Sequence, residues 1–312
     1  MVHLLHLDVY HFFIIQLFDL PSLSCPQRNS HISLWNRYAM FKFKKLFPKF
    51  PAVIGMIHVK ALPGTPCYQS GSLASTVQLA RKEAKIYADA GLDGIILENM
   101  HDIPYMNRNV GPEITACMST IGQAVKDVIG DIPCGVQILA GCNKEALAVA
   151  KAASLQFIRA EGFVFSHVAD EGIINADAGE LLRYRKHIDA EDVLVLTDIK
   201  KKHSSHSITA DLNLVDAAHA ASFFLSDGLI ITGTSTGHAA NPKELSQVTE
   251  RGELPVLVGS GVSVSNYKDY LEAHGLIVGS YFKHSGRWDG EIDEDKVHSF
   301  MTMLHKEQQY YN

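Results

Sequence analysis

Polar or ionisable side chains close six short apolar runs in this 312-residue chain. His58 ends Val53-Ile-Gly-Met-Ile-His, Glu98 and Asn99 end Gly94-Ile-Ile-Leu-Glu-Asn, and Gln137 lies in Cys134-Gly-Val-Gln-Ile-Leu. Arg159 and Glu161 end Gln156-Phe-Ile-Arg-Ala-Glu, Asp198 and Lys200 end Val193-Leu-Val-Leu-Thr-Asp-Ile-Lys, and Thr232 follows Gly228-Leu-Ile-Ile. The carboxyls of Glu98, Glu161 and Asp198 can exchange protons with a reacting group. Lys200 can act as an electrophile or, once desolvated, as an imine-forming nucleophile. His58 and Arg159 complete the catalytic candidates. The bland alternative is mutual neutralisation, Arg159 with Glu161 or Asp198 with Lys200, because buried charge is costly unless paired. So many closures at one end of a fold favour a ligand site over a purely structural network.

A second kind of chemistry lies late in the chain. Val256-Leu-Val-Gly-Ser-Gly-Val-Ser and Gly275-Leu-Ile-Val-Gly-Ser-Tyr-Phe-Lys are apolar runs that stop at glycine and serine. Bare backbone of this kind presents N–H groups to an anion. Gly259, Ser260, Gly261, Gly279 and Ser280 therefore form a candidate phosphate cradle, with Ser263 placed to cap a following helix. Thr232, Gly233, Gln137 and Asn99 join them as substrate-binding candidates. Gly233-Thr-Ser-Thr-Gly lacks the lysine and the glycine spacing of a P-loop or dinucleotide fingerprint, yet it can offer amides and hydroxyls. Lys201, Lys202, His203 and His206 read as a solvated basic rim, and the loose spacing of Asp198, His203 and His206 argues against structural zinc.

These residues need elements to position them. From Ala52 onward, strand-like runs alternate with one-faced helical patterns, such as Leu73, Val77, Ala80, Ala84 and Tyr87, and Pro112 and Asn241-Pro open two of the helices. Eight strand–helix units predict one α/β domain over residues 51–312, a (β/α)8 TIM barrel, with a doubly wound open sheet as the runner-up. Alternate strand residues face the barrel interior, so His58 shares a face with Met56, Glu98 with Ile96, and Asp198 and Lys200 with Leu194 and Leu196. The site then belongs at the C-terminal strand ends, and a phosphate belongs to the loops after strands seven and eight. Residues Gly162 to about Ala176 read as a long loop, the kind that serves as a lid.

Residues 1–50 read as an irregular N-terminal extension. His3, His6, His11 and His31 are scattered among apolar residues without a period, and the basic aromatic run Phe41-Lys-Phe-Lys-Lys-Leu-Phe follows Met40. Met40 is a candidate alternative start that would leave 1–39 outside the mature protein; a mitochondrial presequence is the competing reading. The compartment expected is the cytoplasm, with the mitochondrion as that reading's alternative. Phe12-Phe-Ile-Ile-Gln-Leu-Phe is too short to span a bilayer, which takes about 20 apolar residues. A net charge of −6 argues against a nucleic-acid partner, and five cysteines without a CxxC pair suit a reducing compartment. A homo-oligomer is compatible with this composition.

Gly55-Met-Ile-His-Val-Lys-Ala-Leu-Pro-Gly-Thr-Pro, Leu97-Glu-Asn-Met-His-Asp-Ile-Pro, Arg159-Ala-Glu-Gly, Asp198-Ile-Lys-Lys-Lys-His, Thr232-Gly-Thr-Ser-Thr-Gly and Ile277-Val-Gly-Ser together resemble the BtpA family, the photosystem I biogenesis protein family. The resemblance runs from about 53 to 306 and touches every strand end. It implies a TIM barrel of the ribulose-phosphate-binding type, and so a fold and a ligand class more than a reaction. The function expected is an enzyme acting on a phosphorylated small molecule, a sugar phosphate or nucleotide-like ester, by lyase, aldolase, isomerase or glycosyl-bond chemistry. Two rivals are a non-catalytic metabolite-binding barrel that acts in assembly of another complex and a divalent-metal hydrolase built on Glu98, Asp198 and His58. No cofactor is expected, a divalent metal entering only with that last rival.

Overall fold

The computed structural model describes residues 30–233 and 235–311. Eight parallel strands close into a barrel: β1 (Ala52–His58), β2 (Gly94–Glu98), β3 (Cys134–Gln137), β4 (Phe157–Ala160), β5 (Leu194–Asp198), β6 (Gly228–Ile231), β7 (Val256–Val258) and β8 (Gly275–Val278). β8 pairs back onto β1, with Ala52 opposite Gly275. Every residue of β1, β2 and β5 is buried, as expected of strands covered on both faces. Helices α2 (Leu73–Asp89), α3 (Pro112–Ile129), α4 (Asn143–Ala152), α5 (Ala178–His187), α6 (Leu214–Phe223), α7 (Pro242–Thr249) and α8 (Glu294–Tyr311) lie between and after the strands. The TIM barrel read from the alternation of strands and helices is the fold observed.

Alternation along the strands sorts two cores. Ile54, Met56, Ile96, Leu196, Ile230 and Leu257 pack inside the barrel, while Val53, Ile57, Ile95, Leu97 and Val195 pack outward into the helical layer. The N-terminal end of the barrel is plugged from an unexpected source. Residues 30–46, read as irregular, form a helix, α1 (Ser30–Leu46). Its Ala39 and Phe43, and Phe47 just beyond it, are fully buried at intervals of four residues. Phe43 and Phe47 join the inner core, and the Phe47 ring lies 5.8 Å from that of Phe157. Trp35 donates to the Ser226 carbonyl at 3.2 Å and Lys42 to the Glu191 carbonyl at 2.7 Å, so the helix is anchored on both sides of Met40. Phe47→Ala should destabilise the protein by about 3–5 kcal/mol, as large aromatic truncations in cores do. Chemical denaturation measures this, and a loss under about 1 kcal/mol would mean that Phe47 does not plug the barrel.

Two loops also differ from expectation. The segment after β4 carries a hairpin, His167–Ala169 against Gly172–Ile174, and Ser204–Ser205 from the loop after β5 adds a third antiparallel strand. After β7 the chain makes a single 3-10 turn, Tyr267–Tyr270, in place of a long helix. Ser263 therefore shapes a turn instead of capping an α-helix: its N–H donates to Asn266 Oδ1 at 2.8 Å. Among the described residues, no helix is long and apolar enough to cross a membrane.

Candidate active site

Strand register decides which of the polar strand ends meet. His58 lies opposite Glu98, and Glu98 opposite Gln137. Above the apolar layer of Met56 and Ile277 the mouth opens into a cavity of about 350 Å³. Its lining joins His58, Glu98, Arg159 and Lys202 to the backbone around Gly259–Ser263 and Gly279–Ser280. Residues far apart in sequence thus line one space the size of a small-ligand site.

The charged wall is tightly organised. Arg159 makes a bidentate pair with Asp198, Nε to Oδ2 at 2.8 Å and Nη2 to Oδ1 at 2.9 Å, and both side chains are almost wholly buried. Burial opposes the Arg159 charge, but the Asp198 carboxylate more than offsets it and holds the guanidinium firmly protonated. Glu98 is buried, and that burial raises its pKa against the opposing pull of Lys202 and Arg159. His58 Nδ1 lies 2.7 Å from the Trp288 carbonyl, which can only accept, so Nδ1 carries the proton and Nε2 presents its lone pair, 3.7 Å from Glu98 Oε2. Burial first, then the Lys283 charge, pushes His58 down to about 3, so the ring is neutral.

Neutral buried histidines have a consequence in acid. His167, also buried, is lowered to about 4 by burial and by Lys201. Between the ordinary histidine value of about 6.5 and these folded values, the unfolded chain binds protons that the folded chain refuses. Stability is therefore full above about pH 6.5 and falls on acidification, by about 1.4 kcal/mol per pH unit for each such histidine. Urea melts at pH 7 and pH 5 should show a shallower acid loss in His167→Asn than in the parent. Parallel profiles would contradict a neutral, buried His167.

The glycine–serine turns form the candidate anion cradle, with one change of membership. The Gly259 amide donates to the Ile231 carbonyl at 2.8 Å, so it is committed to the β-ladder. The amides of Ser260, Gly261, Gly279 and Ser280 have no acceptor among the described residues. Gly261 has φ +69, and a Cβ there would lie 2.3 Å from the His238 carbonyl oxygen, so only glycine fits this turn. The Ser260 hydroxyl accepts from the Gly233 amide at 2.8 Å and donates to the His238 carbonyl at 3.0 Å, which fixes the loop.

Several expected site residues take other places. Lys200 was expected to share the inward face with Asp198. The strand ends at Asp198, and Lys200 turns outward, half exposed, to pair with Glu244 at 3.2 Å. The lysine that reaches the cavity is Lys202, which the sequence suggested only as part of a solvated rim. Lys201 is likewise drawn in, 3.3 Å from Glu161 and 3.5 Å from Glu171, and so ties the hairpin to the barrel. Glu161 also accepts from Gln137 at 3.0 Å and from the Gly141 amide at 3.1 Å, away from the cavity. Asn99 braces the backbone of Leu139 at 2.8 Å, and Thr232 donates to the Lys200 carbonyl at 3.0 Å. The carboxylate of Asp198 is occupied by Arg159, so the Glu98, Asp198 and His58 trio does not converge as metal ligands. Among the described residues, no group of three His, Cys, Asp or Glu side chains is placed to hold a metal. Arg108, unnoticed in the sequence, staples the loop after β2 to Asp177 and to the carbonyls of Gly141 and Gly162.

A family model, the BtpA family, matches residues 49–306. The chain belongs to the BtpA family. A Caenorhabditis elegans relative, whose name places it in the mitochondrion, is 48% identical over 255 residues, covering 80% of this chain and 92% of its own. The photosystem I biogenesis protein BtpA of Synechocystis is 32% identical over 256 residues, covering 81% of this chain and 87% of its own. Among solved structures, a sialic acid synthetase from Leptospira borgpetersenii superposes with a TM-score of 0.53 at 11% identity, covering 84% of this chain and 85% of that one. Phosphoribosyl anthranilate isomerase from Thermus thermophilus gives 0.50 at 12% identity, covering 82% and 98%. At such identity these two bear on the BtpA-family barrel's fold alone.

Proposed function

We propose that this barrel is an enzyme acting on a phosphorylated small molecule, a sugar phosphate or nucleotide-like ester. One observation carries the reading: a single cavity is lined both by Ser260, Gly261, Gly279 and Ser280, whose backbone amides have no acceptor among the described residues, and by Glu98, His58, Arg159 and Lys202. The amides of Ser260, Gly261, Gly279 and Ser280 hold the phosphate, and that binding energy orients the rest of the substrate toward the charged wall. Glu98, whose pKa is raised by burial, gives and takes the proton of the reacting group. His58 Nε2 accepts a hydrogen bond from substrate or from Glu98. Arg159 supplies fixed positive charge, and Asp198 positions it.

Thermal shift against phosphorylated metabolites tests the reading. A ligand at about 100 times its Kd should add about 2.7 kcal/mol of stability. Product analysis with the stabilising compound then separates an enzyme from a barrel that only binds. No stabilisation by any phosphate-bearing compound would remove both. The name of the C. elegans relative supports a mitochondrial location over the cytoplasm. Because α1 (Ser30–Leu46) packs on the barrel, we expect processing to fall before Ser30. Mass spectrometry of the mature protein checks this, and a chain beginning at Met40 would contradict it.

A further inference from the structure

Three consecutive lysines follow Ile199, and the structure gives them three different fates. Lys200 pairs with Glu244 and Lys201 with Glu161 and Glu171. The buried Lys283, elsewhere at the mouth, pairs with Glu83 at 3.3 Å. Lys202 alone of these has no carboxylate within 4.0 Å among the described residues, and it makes no side-chain hydrogen bond, although it lines the main cavity. Its positive neighbour is Arg159, whose charge is already matched by Asp198. A lysine serving as a fixed cation would be set against a carboxylate. Lys202 instead feels Glu98, Asp198 and Glu161 only from beyond ion-pair distance and lines the cavity without a direct partner among the described residues.

We infer that Lys202 is a nucleophile that forms an imine with the carbonyl carbon of a phosphorylated aldehyde or ketone. The inference rests on the phosphate-binding reading of the same cavity. The neutral amine adds its lone pair to the carbonyl carbon. The carbonyl π pair moves to oxygen, which takes a proton from the Glu98 carboxyl, and the nitrogen passes a proton to the Glu98 carboxylate so formed, giving a neutral carbinolamine. Glu98 then protonates the hydroxyl, which leaves as water, and its carboxylate takes the remaining nitrogen proton from the iminium, so amine and carbonyl yield imine and one water with Glu98 restored. Supply of the neutral amine fits the surroundings, since burial and then the Arg159 charge lower the affinity of Lys202 for its proton against the opposing pull of Glu98, Asp198 and Glu161. The cradle lines the same cavity and fixes the phosphate end, so a short aldose or ketose phosphate can bring its carbonyl to Lys202.

The full-length protein is incubated separately with glyceraldehyde 3-phosphate and dihydroxyacetone phosphate in the presence of sodium cyanoborohydride, and adducts are mapped by peptide mass spectrometry. The result expected is a reductive adduct concentrated on Lys202 above every other lysine, suppressed by inorganic phosphate and absent from Lys202→Arg. Thermal shift with inorganic phosphate is run on parent and variant in parallel, so that loss of the adduct is not mistaken for misfolding. Stabilisation by phosphate without an adduct on Lys202 overturns the inference and leaves the phosphate reading standing. A Lys202 adduct that phosphate does not suppress, and that unphosphorylated glyceraldehyde forms equally well, supports the nucleophile and removes the cradle. Labelling spread evenly over Lys200, Lys202 and surface lysines overturns the inference.

Discussion

Asp198→Ala is expected to destabilise the protein by about 3–5 kcal/mol, whereas Lys200→Ala should cost no more than about 1 kcal/mol. Both residues were read as inward neighbours on one strand, and the structure separates them. Asp198 gives both carboxylate oxygens to Arg159 in a pair almost sealed from solvent. Removing it leaves a guanidinium buried without its counter-charge, and such orphaned charge is far more costly than a lost surface contact. Lys200 and Glu244 form an exposed pair, where solvent screening and side-chain entropy cancel most of the attraction. Urea denaturation of the two variants side by side reads the difference directly. Equal losses would mean that Lys200, not Arg159, is the partner that matters to Asp198.

Glu98→Gln is expected to lower turnover of the natural substrate by about 10²–10⁴-fold while leaving phosphate binding in place. The amide keeps the shape and one hydrogen-bond donor but cannot release or accept the proton. In the proposed reaction the parent protein should also lose rate as pH rises through the pKa of Glu98, the protonated carboxyl being the acid in the slow step. Burial sets that pKa above the ordinary glutamate range, so the falling limb lies at higher pH than for an exposed glutamate. Glu98→Gln should abolish the limb. A variant that turns over normally, or one whose pH profile matches the parent's, would remove Glu98 from the chemistry.

The barrel was legible because its evidence is local and repeated. Each strand is a short apolar run, and period-2 alternation assigns His58, Glu98, Arg159 and Asp198 to the interior from sequence alone. That rule stops where the strand stops. Beyond Asp198 the backbone is no longer pleated, so Lys200 turns outward, and the chain folds back to bring Lys202 to the cavity. Three adjacent lysines carry no local mark of which one will be enclosed. The cradle was legible as glycine and serine, but the loss of the Gly259 amide to the ladder depends on where β6 ends, which the run itself does not say. Helix α1 was hidden because only Ala39, Phe43 and Phe47 of its neighbourhood are buried, among exposed lysines that dilute the pattern. Residues 1–29, with His3, His6 and His11 and the apolar run from Phe12, lie outside the described residues. Arg108 gave no signal, since a staple between three loops is a tertiary fact.

In the proposed reaction the amides after β7 and β8 hold the phosphate of a substrate whose reacting end meets Glu98 and Lys202. A crystal structure with the most stabilising phosphorylated compound tests it most directly. The result predicted is a phosphate within hydrogen-bond distance of the Ser260, Gly261, Gly279 and Ser280 amides, with the rest of the ligand against the charged wall. A phosphate bound instead in the smaller cavity of about 200 Å³ beside His167, Lys200 and Lys201 would contradict the account.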